Sequence, residues 1–591
     1  MGWESGVRYY DATCNTIIFL KVIPIINLID SIFDESGGFL MRPKIVVILS
    51  LLLLLFTIPA YSQDTFTKGV NLSSWFQEDS VRAIQFNKYT QKDFQDIKSL
   101  GCDVIRLPIN LHFMTSGAPD YKIDPLFFQF MDEVVNRCEA LNISLILDNH
   151  TFDPSKDTKA SIEPVLLKVW AQMAEHYESR GDFLYYEILN EPHGIDPVAW
   201  GKIERNVLKE IRQFDQKHTV IVGGANWNDI DSMYLLPDFK DDKIIYTFHF
   251  YDPFVFTHQG ADWAEPSLLP LKDVPYPYVK EKMPPCPKEL LNTWIQNSIQ
   301  SDYPKNGNNK ALEKLLWKAA NFRDKTGKPV FCGEFGVYNR NSPDEDRIYW
   351  YESVRMIFEK FSIPWTSWDY RDAFGLFKKG SDGTFESDLN LPLLKALGFN
   401  EVPQNEFKIS PDAEGFDLFN QYPAQRVSVS SYITHGKIDF YDDTVLDNKR
   451  FAIRMENLAR YNNLHFEFKP RKDLSLLFEK KYNFVIKIRL KPNFKDFDIR
   501  FLSVRKGDPL SVPWRMGYTF NKSTLQSTTD WQTVVIPLEN FREQGAWKDK
   551  WYNPEGLFDW SRITSLEIVS ENGNWQNTGI YIAEMKLALA E

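Results

Sequence analysis

The chain has 591 residues, 43% of them hydrophobic and 25% charged. That is close to the soluble-globular norm and excludes both wholesale disorder and a polytopic membrane protein. Its 68 Lys and Arg against 80 Asp and Glu give a net charge of −12, so nothing favours tracking a phosphate backbone and nucleic acid is not an expected partner. Aromatic residues reach 15%, with 17 Trp, 26 Tyr and 44 Phe, and such rings suit both large cores and flat ligand surfaces.

The segment from Met41 reads MRPKIVVILSLLLLLFTIPAYSQD. A basic start, an apolar run and the small-residue step Ala60-Tyr61-Ser62 follow the order of a secretory signal peptide, predicted over 41–62. The apolar run is short for the ~20 residues a spanning helix needs. Signal peptides begin at the initiator, so translation is expected to start at Met41, with residues 1–40 a spurious extension. The mature protein is then expected outside the cytoplasm, secreted or periplasmic, without stable membrane insertion, and as a monomer. The five Cys (Cys14, Cys102, Cys138, Cys286 and Cys332) form no C-x-x-C pair, which supports neither a zinc cluster nor a dense disulfide framework.

From 65 to 400 short apolar runs alternate with helical stretches. The runs are KGVNLSSW, DVIRLPIN, SLILDNH, LYYEILNEP, TVIVGGANW, IIYTFHFYDP, VFCGEFG and PWTSWDYR. Each is almost continuously apolar, as parallel strands buried on both faces must be. Eight such strands alternating with helices predict a (β/α)8 barrel, the TIM-barrel form of the α/β class. A doubly wound sheet would want a glycine-rich phosphate loop after its first strand, and NLSSWF is not one. Polar residues crowd the C-terminal ends of the runs: Arg106, His150, Asn190 with Glu191, His249 with Tyr251, Glu334, and Trp368 with Asp369. In a barrel those ends open on one face, where active sites are built. A single Arg or His there is commonly structural, but six of eight runs ending this way is hard to ascribe to packing.

Between the sixth and seventh runs a long stretch, 254–328, holds THQGADWAEP, a Pro-rich patch and one helix, ALEKLLWKAANFRDKTG. It is expected to shape a cleft, with His258 and Trp263 as contact candidates, or else simply to cover the barrel. Residues 401–415 read as a linker. From 416 to 591 period-two alternation between turn signals predicts an antiparallel β-sandwich of jelly-roll type. That domain has its own Trp group (Trp514, Trp531, Trp547, Trp551, Trp560 and Trp575), some necessarily core and some free to meet a ligand.

Glu191 and Glu334 are the central pair. Cutting an acetal needs a proton for the leaving oxygen and a second carboxylate at the anomeric carbon. Two neighbouring carboxylates acquire different pKa values, so one serves as acid while the other stays ionised. A metal reading is weaker: two His, two Glu and an Asp on one rim could ligate Zn²⁺ or Mn²⁺, but Arg106 in the same ring would repel a cation. Serine chemistry is weaker still, because no G-x-S-x-G elbow occurs.

ILNEPHG, FCGEFGVY, IRLPIN, LDNH, FHFYDP and WTSWDY together resemble the motif set of glycoside hydrolase family 5, over roughly residues 65–400. The resemblance implies a retaining glycosidase that needs no cofactor and takes a polysaccharide, most simply a β-1,4-glucan, as its partner. It casts Glu191 as acid/base and Glu334 as nucleophile. Asn190 would bond the sugar 2-hydroxyl, and Arg106 with Tyr251 would hold the nucleophile. His150 and His249 would bind hydroxyls or tune Glu191, and Trp368 would form the floor under the cleaved sugar. Trp75, His112, Trp227, Trp263 and Phe374 are the rim residues expected to set specificity among cellulose, mannan, xyloglucan, β-1,3-glucan and glycolipids. The sandwich loosely resembles carbohydrate-binding modules and leaves room for a structural Ca²⁺, or it buttresses the barrel. A non-catalytic glycan-binding barrel is the alternative of another class.

Overall fold

A computed structural model describes residues 66–589, apart from 152–154, 447–449, 506, 509 and 525–528. The expected extension and signal peptide therefore lie outside the described residues. Among these, no helix is long and apolar enough to cross a membrane.

Eight parallel strands close into a barrel: β1 (Lys68–Asn71), β2 (Val104–Ile109), β3 (Ser144–Asn149), β4 (Leu184–Glu187), β5 (Thr219–Gly223), β6 (Ile244–Phe250), β7 (Val330–Phe335) and β8 (Trp365–Ser367). Residues of β2, β3 and β7 are buried throughout, as strands between a packed interior and a ring of helices must be. The helices carry their own start and stop signals. In Pro125–Leu141, Asp124 accepts the Leu126 N–H, proline occupies the first turn, and Asn142 ends the helix in the left-handed region, a combination that satisfies orphan backbone groups at both ends.

Inside the barrel the two-residue strand period stacks one layer on another. Val104 and Arg106 share a face of β2, Ile146 and Asp148 a face of β3, and Tyr185 and Glu187 a face of β4. The lower members join Phe66, Ile221 and Phe331 in an apolar cluster. The upper members, two residues toward the strand C-termini, are all polar, so the barrel changes from hydrophobic filling to charged machinery within one layer.

β4 corrects one expectation. The run LYYEILNEP reads as a single strand, but the ladder stops at Glu187, leaving Asn190 and Glu191 on the loop beyond it. Ile188 and Leu189 stay buried there without belonging to the strand. Glu191 itself adopts φ 45°, a left-handed conformation uncommon for residues other than glycine.

Residues 401–415 form only an isolated bridge, Pro411 to Asp473. The C-terminal region is two antiparallel sheets of seven strands. One contains Tyr422–Pro423, Asp417–Asn420, Gly579–Ala588, Ala452–Glu456 and Lys437–Asp442, with Asn483–Leu490 and Gln532–Pro537 beside them. The other runs Val427–Tyr432, Asn463–Lys472, Ile563–Val569, Phe497–Ser503, Trp514–Phe520, Arg542–Trp547 and Trp551–Tyr552. Phe484 of the first meets Phe501 of the second at 6.5 Å between ring centroids. Trp514 and Trp575 are core, whereas Trp547 and Trp551 face each other across a hairpin and are exposed.

Candidate active site

The C-terminal ends of the barrel strands open into a cleft of about 1030 Å³ lined by His150, Glu191, His249, Tyr251, Glu334 and Trp368, among others. Arg106 and Asn190 lie directly beneath, both fully buried. All eight residues expected at the site from the sequence therefore converge.

Arg106 is the hub. Its Nε and Nη2 donate to the two oxygens of Glu187 at 2.8 and 2.9 Å, its Nη1 donates to Glu334 Oε1 at 2.7 Å and Asn71 Oδ1 at 3.0 Å, and Nη2 also donates to Asn190 Oδ1 at 2.8 Å. Asp148 Oδ2 lies 3.0 Å away. Burial works against the guanidinium's charge, but Asp148, Glu187 and Glu334 outweigh it and hold Arg106 firmly protonated. One cation thus serves three buried carboxylates. Such a group is costly to assemble and costlier to break, because removing one partner strands the others.

Glu334 is gripped from both sides, since Tyr251 donates its phenol hydrogen to Oε2 at 2.8 Å while Arg106 holds Oε1. Asn71, at the end of β1, donates to the backbone carbonyls of Gly333 and Ser367, tying β1 and β8 to the strand that carries Glu334.

Glu191 has no such cation to itself. Burial pushes its carboxyl up to about 8, with Asp148 and Glu187 adding to the rise while Arg106 and His193 oppose it. His249 Nδ1 meets Glu191 Oε1 at 2.7 Å and lies 3.6 Å from Glu334 Oε2. Burial lowers this imidazole to about 4, so it is neutral and the 2.7 Å contact carries a single proton in either tautomer. Glu191, His249 and Glu334 are a group whose ligating atoms all lie within 4.8 Å of one another. They suit a resident cation poorly, because the Arg106 guanidinium already stands against Glu334.

His150 Nδ1 contacts Asp148 Oδ2 at 2.7 Å. Burial raises Asp148 to about 7, against Arg106, and lowers His150 to about 3. The His150 ring stacks on Trp368 at 5.6 Å and 11°, which orients the indole as a flat wall of the cleft. Asn190 uses its carbonyl on Arg106 and leaves Nδ2 buried without a partner among the described residues.

Several working residues were not anticipated. Asn71 and Glu187 end their strands and Asp148 is next to the last residue of its own; a charged side chain in a wholly buried run, such as Asp148 or Glu187, must be paired, and that signal was available. The rim expectations divide. Trp227 (stacked on His193 at 3.6 Å), Trp263, His258 and Phe374 line the cleft. Trp75 does not: it is 1% exposed, packed among Phe76, Phe86 and Tyr89, with its indole N–H on the Gln85 carbonyl. The positive φ of Ser74 (54°) turns the chain there, and the indole joins the core. His112 contacts Asn149 and is not part of the cleft lining.

The family model for cellulase, glycosyl hydrolase family 5, matches residues 60–374, more than half of the chain. The chain belongs to this family. It is a glycoside hydrolase, and the cleft is that of a family 5 barrel. Endoglucanase C of Acetivibrio thermocellus is 30% identical over 325 residues, 52% of this chain and 92% of the relative. Endoglucanase 3 of Fibrobacter succinogenes is 30% identical over 336 residues, 53% of this chain and 50% of that protein. Among solved structures, the endoglucanase Cel5A from Thermotoga maritima aligns with 27% identity and a TM-score of 0.47, over 56% of this chain and 97% of its own.

Proposed function

We propose that this hydrolase cleaves internal β-1,4-glycosidic bonds of a β-glucan by a retaining double displacement, with Glu191 as acid/base and Glu334 as nucleophile. The observation that carries the reading is the closeness of the two carboxylates: one oxygen of each lies within 4.8 Å of the other, and His249 Nδ1 stands between them, 2.7 Å from Glu191 Oε1 and 3.6 Å from Glu334 Oε2. An inverting pair stands roughly 6.5–9.5 Å apart to admit a water, whereas a retaining pair stands roughly 5–5.5 Å apart. The electrostatics divide the roles in the same sense. Glu191, raised to about 8, holds a proton at neutral pH, and Glu334 accepts hydrogen bonds from the Arg106 guanidinium and the Tyr251 phenol.

In the first step Glu191 gives its proton to the glycosidic oxygen as Glu334 attacks the anomeric carbon and the C–O bond breaks. In the second, the Glu191 carboxylate takes a proton from water, whose oxygen displaces Glu334. When His249 donates Nδ1–H to Oε1 of Glu191, the transferable proton sits on the other oxygen. Asn190 Nδ2 is a natural donor to the sugar 2-hydroxyl, a bond that strengthens in the transition state. No step calls for a cofactor. The endoglucanase names of the relatives and the open cleft support an internal cut in a β-glucan, and the signal-like segment at 41–62 supports action outside the cytoplasm.

The test is reducing-sugar release from a panel of cellulose, mixed-linkage glucan, xyloglucan, mannan and β-1,3-glucan, with Glu334→Gln as control. Release is expected from β-1,4-glucans and should fall about 10⁴-fold or more in the variant. Preferential release from mannan or β-1,3-glucan would move the substrate assignment. No release from any polymer would favour the glycan-binding alternative, and full activity in the variant would overturn the nucleophile.

A further inference from the structure

The connection from β1 to β2 is gripped from two sides. On one side Ser73, Ser74 and Gln77 line the cleft together with Asp369 and Asp372, which follow β8. Ser73 Oγ lies 2.8 Å from Asp369 Oδ2 and 3.0 Å from Asp372 Oδ2. Asp369 is 1% exposed, and its Oδ1 has no partner among the described residues. Burial, with the Asp372 charge adding to it, pushes the Asp369 carboxyl up to about 8. An acid and a carboxylate bridged by a hydroxyl can both give and accept hydrogen bonds, as recognition of a sugar diol requires.

On the other side the same connection is held by the sandwich. Gln85 makes a two-way amide pair with Val429, accepting its N–H at 2.9 Å and donating to its carbonyl. The Tyr441 hydroxyl accepts the Phe86 N–H at 3.1 Å and donates to the Ile84 carbonyl. Asn87 Nδ2 donates to the Pro423 carbonyl at 2.9 Å, and Tyr422 packs on Phe86 at 5.8 Å between ring centroids. The grip reaches the cleft through two further bonds, Trp75 Nε1 to the Gln85 carbonyl and Lys88 Nζ to the Ser74 carbonyl at 2.6 Å.

The barrel order gives this wall its place on the substrate. Glu191 and Trp227 follow β4 and β5, diametrically across the closed barrel from β8 and β1. Since Glu191 protonates the leaving oxygen, the leaving half of the substrate lies on its side. The Ser73 group then meets the opposite half, beyond the sugar on Trp368. We propose that Ser73, Asp369 and Asp372 form a hydroxyl-binding subsite for the neutral sugar on the non-reducing side of the cleaved unit, and that the sandwich fixes this subsite through its grip on residues 82–88. The inference rests on the proposed roles of Glu191 and Trp368. It gives the sandwich a part in substrate selection that requires no glycan contact of its own.

Two dinitrophenyl substrates separate the subsite from the chemistry. The β-glucoside ends at the cleaved sugar, and the β-cellobioside extends one unit further on the non-reducing side. In the full chain, the kcat/KM advantage of the longer substrate is expected to fall about 10- to 100-fold in Asp369→Asn and by a smaller factor in Ser73→Ala. It should also fall severalfold in Gln85→Ala, whose rate on the glucoside stays near wild type. An unchanged ratio in both Asp369→Asn and Ser73→Ala overturns the subsite. A Gln85→Ala protein that melts earlier but keeps the ratio overturns the role of the sandwich. If the wild type cleaves neither compound, it is the hydrolase reading that fails. Calorimetric affinity for cellobiose, expected to drop by the same factor in Asp369→Asn, then decides the subsite.

Discussion

At the barrel mouth and in the sandwich, buried acids meet opposite fates. Asp148, Glu191 and Asp369 are pushed up to between about 7 and 8. Glu567, nearly as buried, is held down at about 2, because His465 and Arg500 outweigh the cost of its burial. Burial is the largest cause of the rise at all three barrel acids, whereas Glu567 has two basic side chains in direct contact that outweigh it. Arg500 donates to Glu567 at 2.9 Å and Glu571 at 3.1 Å, and His465 adds a third contact at 3.1 Å, so the cluster is saturated. In the barrel one guanidinium is shared by three carboxylates, and Asn190 Nδ2 and His249 Nε2 have no partner among the described residues. Saturation makes a structural cluster. Burial outweighs Arg106 and leaves a proton on Glu191, which is what acid catalysis requires.

The largest expected effect comes from removing the shared cation. Arg106→Met should leave Asp148, Glu187 and Glu334 facing one another without compensation, at a cost of about 3–5 kcal/mol in unfolding free energy. Hydrolysis should fall steeply as well, since Glu334 loses the donor 2.7 Å away. Chemical denaturation alongside initial rates checks both. A stable, active Arg106→Met would break the contrast with the sandwich at its root.

Next comes Glu191. A general acid must be protonated, so kcat/KM is expected to fall as pH rises through about 8, and Glu191→Gln should abolish that limb. The variant should lose about 10²–10⁴-fold on a glucan but far less on a dinitrophenyl glycoside, whose leaving group needs no proton. The stability sign is opposite. A carboxyl raised in the fold favours folding below its unfolded value near 4.5 and ceases to do so as pH passes 8. Glu191→Gln should therefore be more stable than wild type at pH 9, on the order of 4–5 kcal/mol, with the gain vanishing toward pH 4.5.

The same physics explains which parts of the molecule were legible in the sequence. The eight strands were, because burial on both faces demands continuous apolar runs, and so was the gathering of eight expected polar and aromatic residues at one barrel mouth. The end of β4 was not: Ile188 and Leu189 are as buried as strand residues, and hydrophobicity reports burial rather than pairing. Trp75 follows β1 as a rim residue would, but its indole turns into the Phe86 cluster, a choice made by tertiary packing. Glu187 and Asp148 were legible in principle, as charges inside buried runs. Their convergence on Arg106 needed the register Asp148 to Glu187 between β3 and β4, which a single sequence does not carry. The grip of the sandwich on residues 82–88 joins positions more than 330 apart and has no local signature.

The smallest effect sharpens the comparison from the sandwich side. Glu567 is depressed from an ordinary 4.5 to about 2, so its contribution is present above 4.5 and lost as pH falls through 2. Glu567→Gln should cost about 3 kcal/mol at pH 7, with the two proteins converging near pH 2, and should leave hydrolysis of soluble substrate unchanged because the cluster touches no part of the cleft. Denaturant titrations at several pH values read the first outcome and initial rates the second. A Glu567→Gln protein as stable as wild type at pH 7 would mean that the sandwich cluster is no better compensated than the barrel mouth. Charge saturation could then no longer be what separates a structural acid from a catalytic one in this molecule.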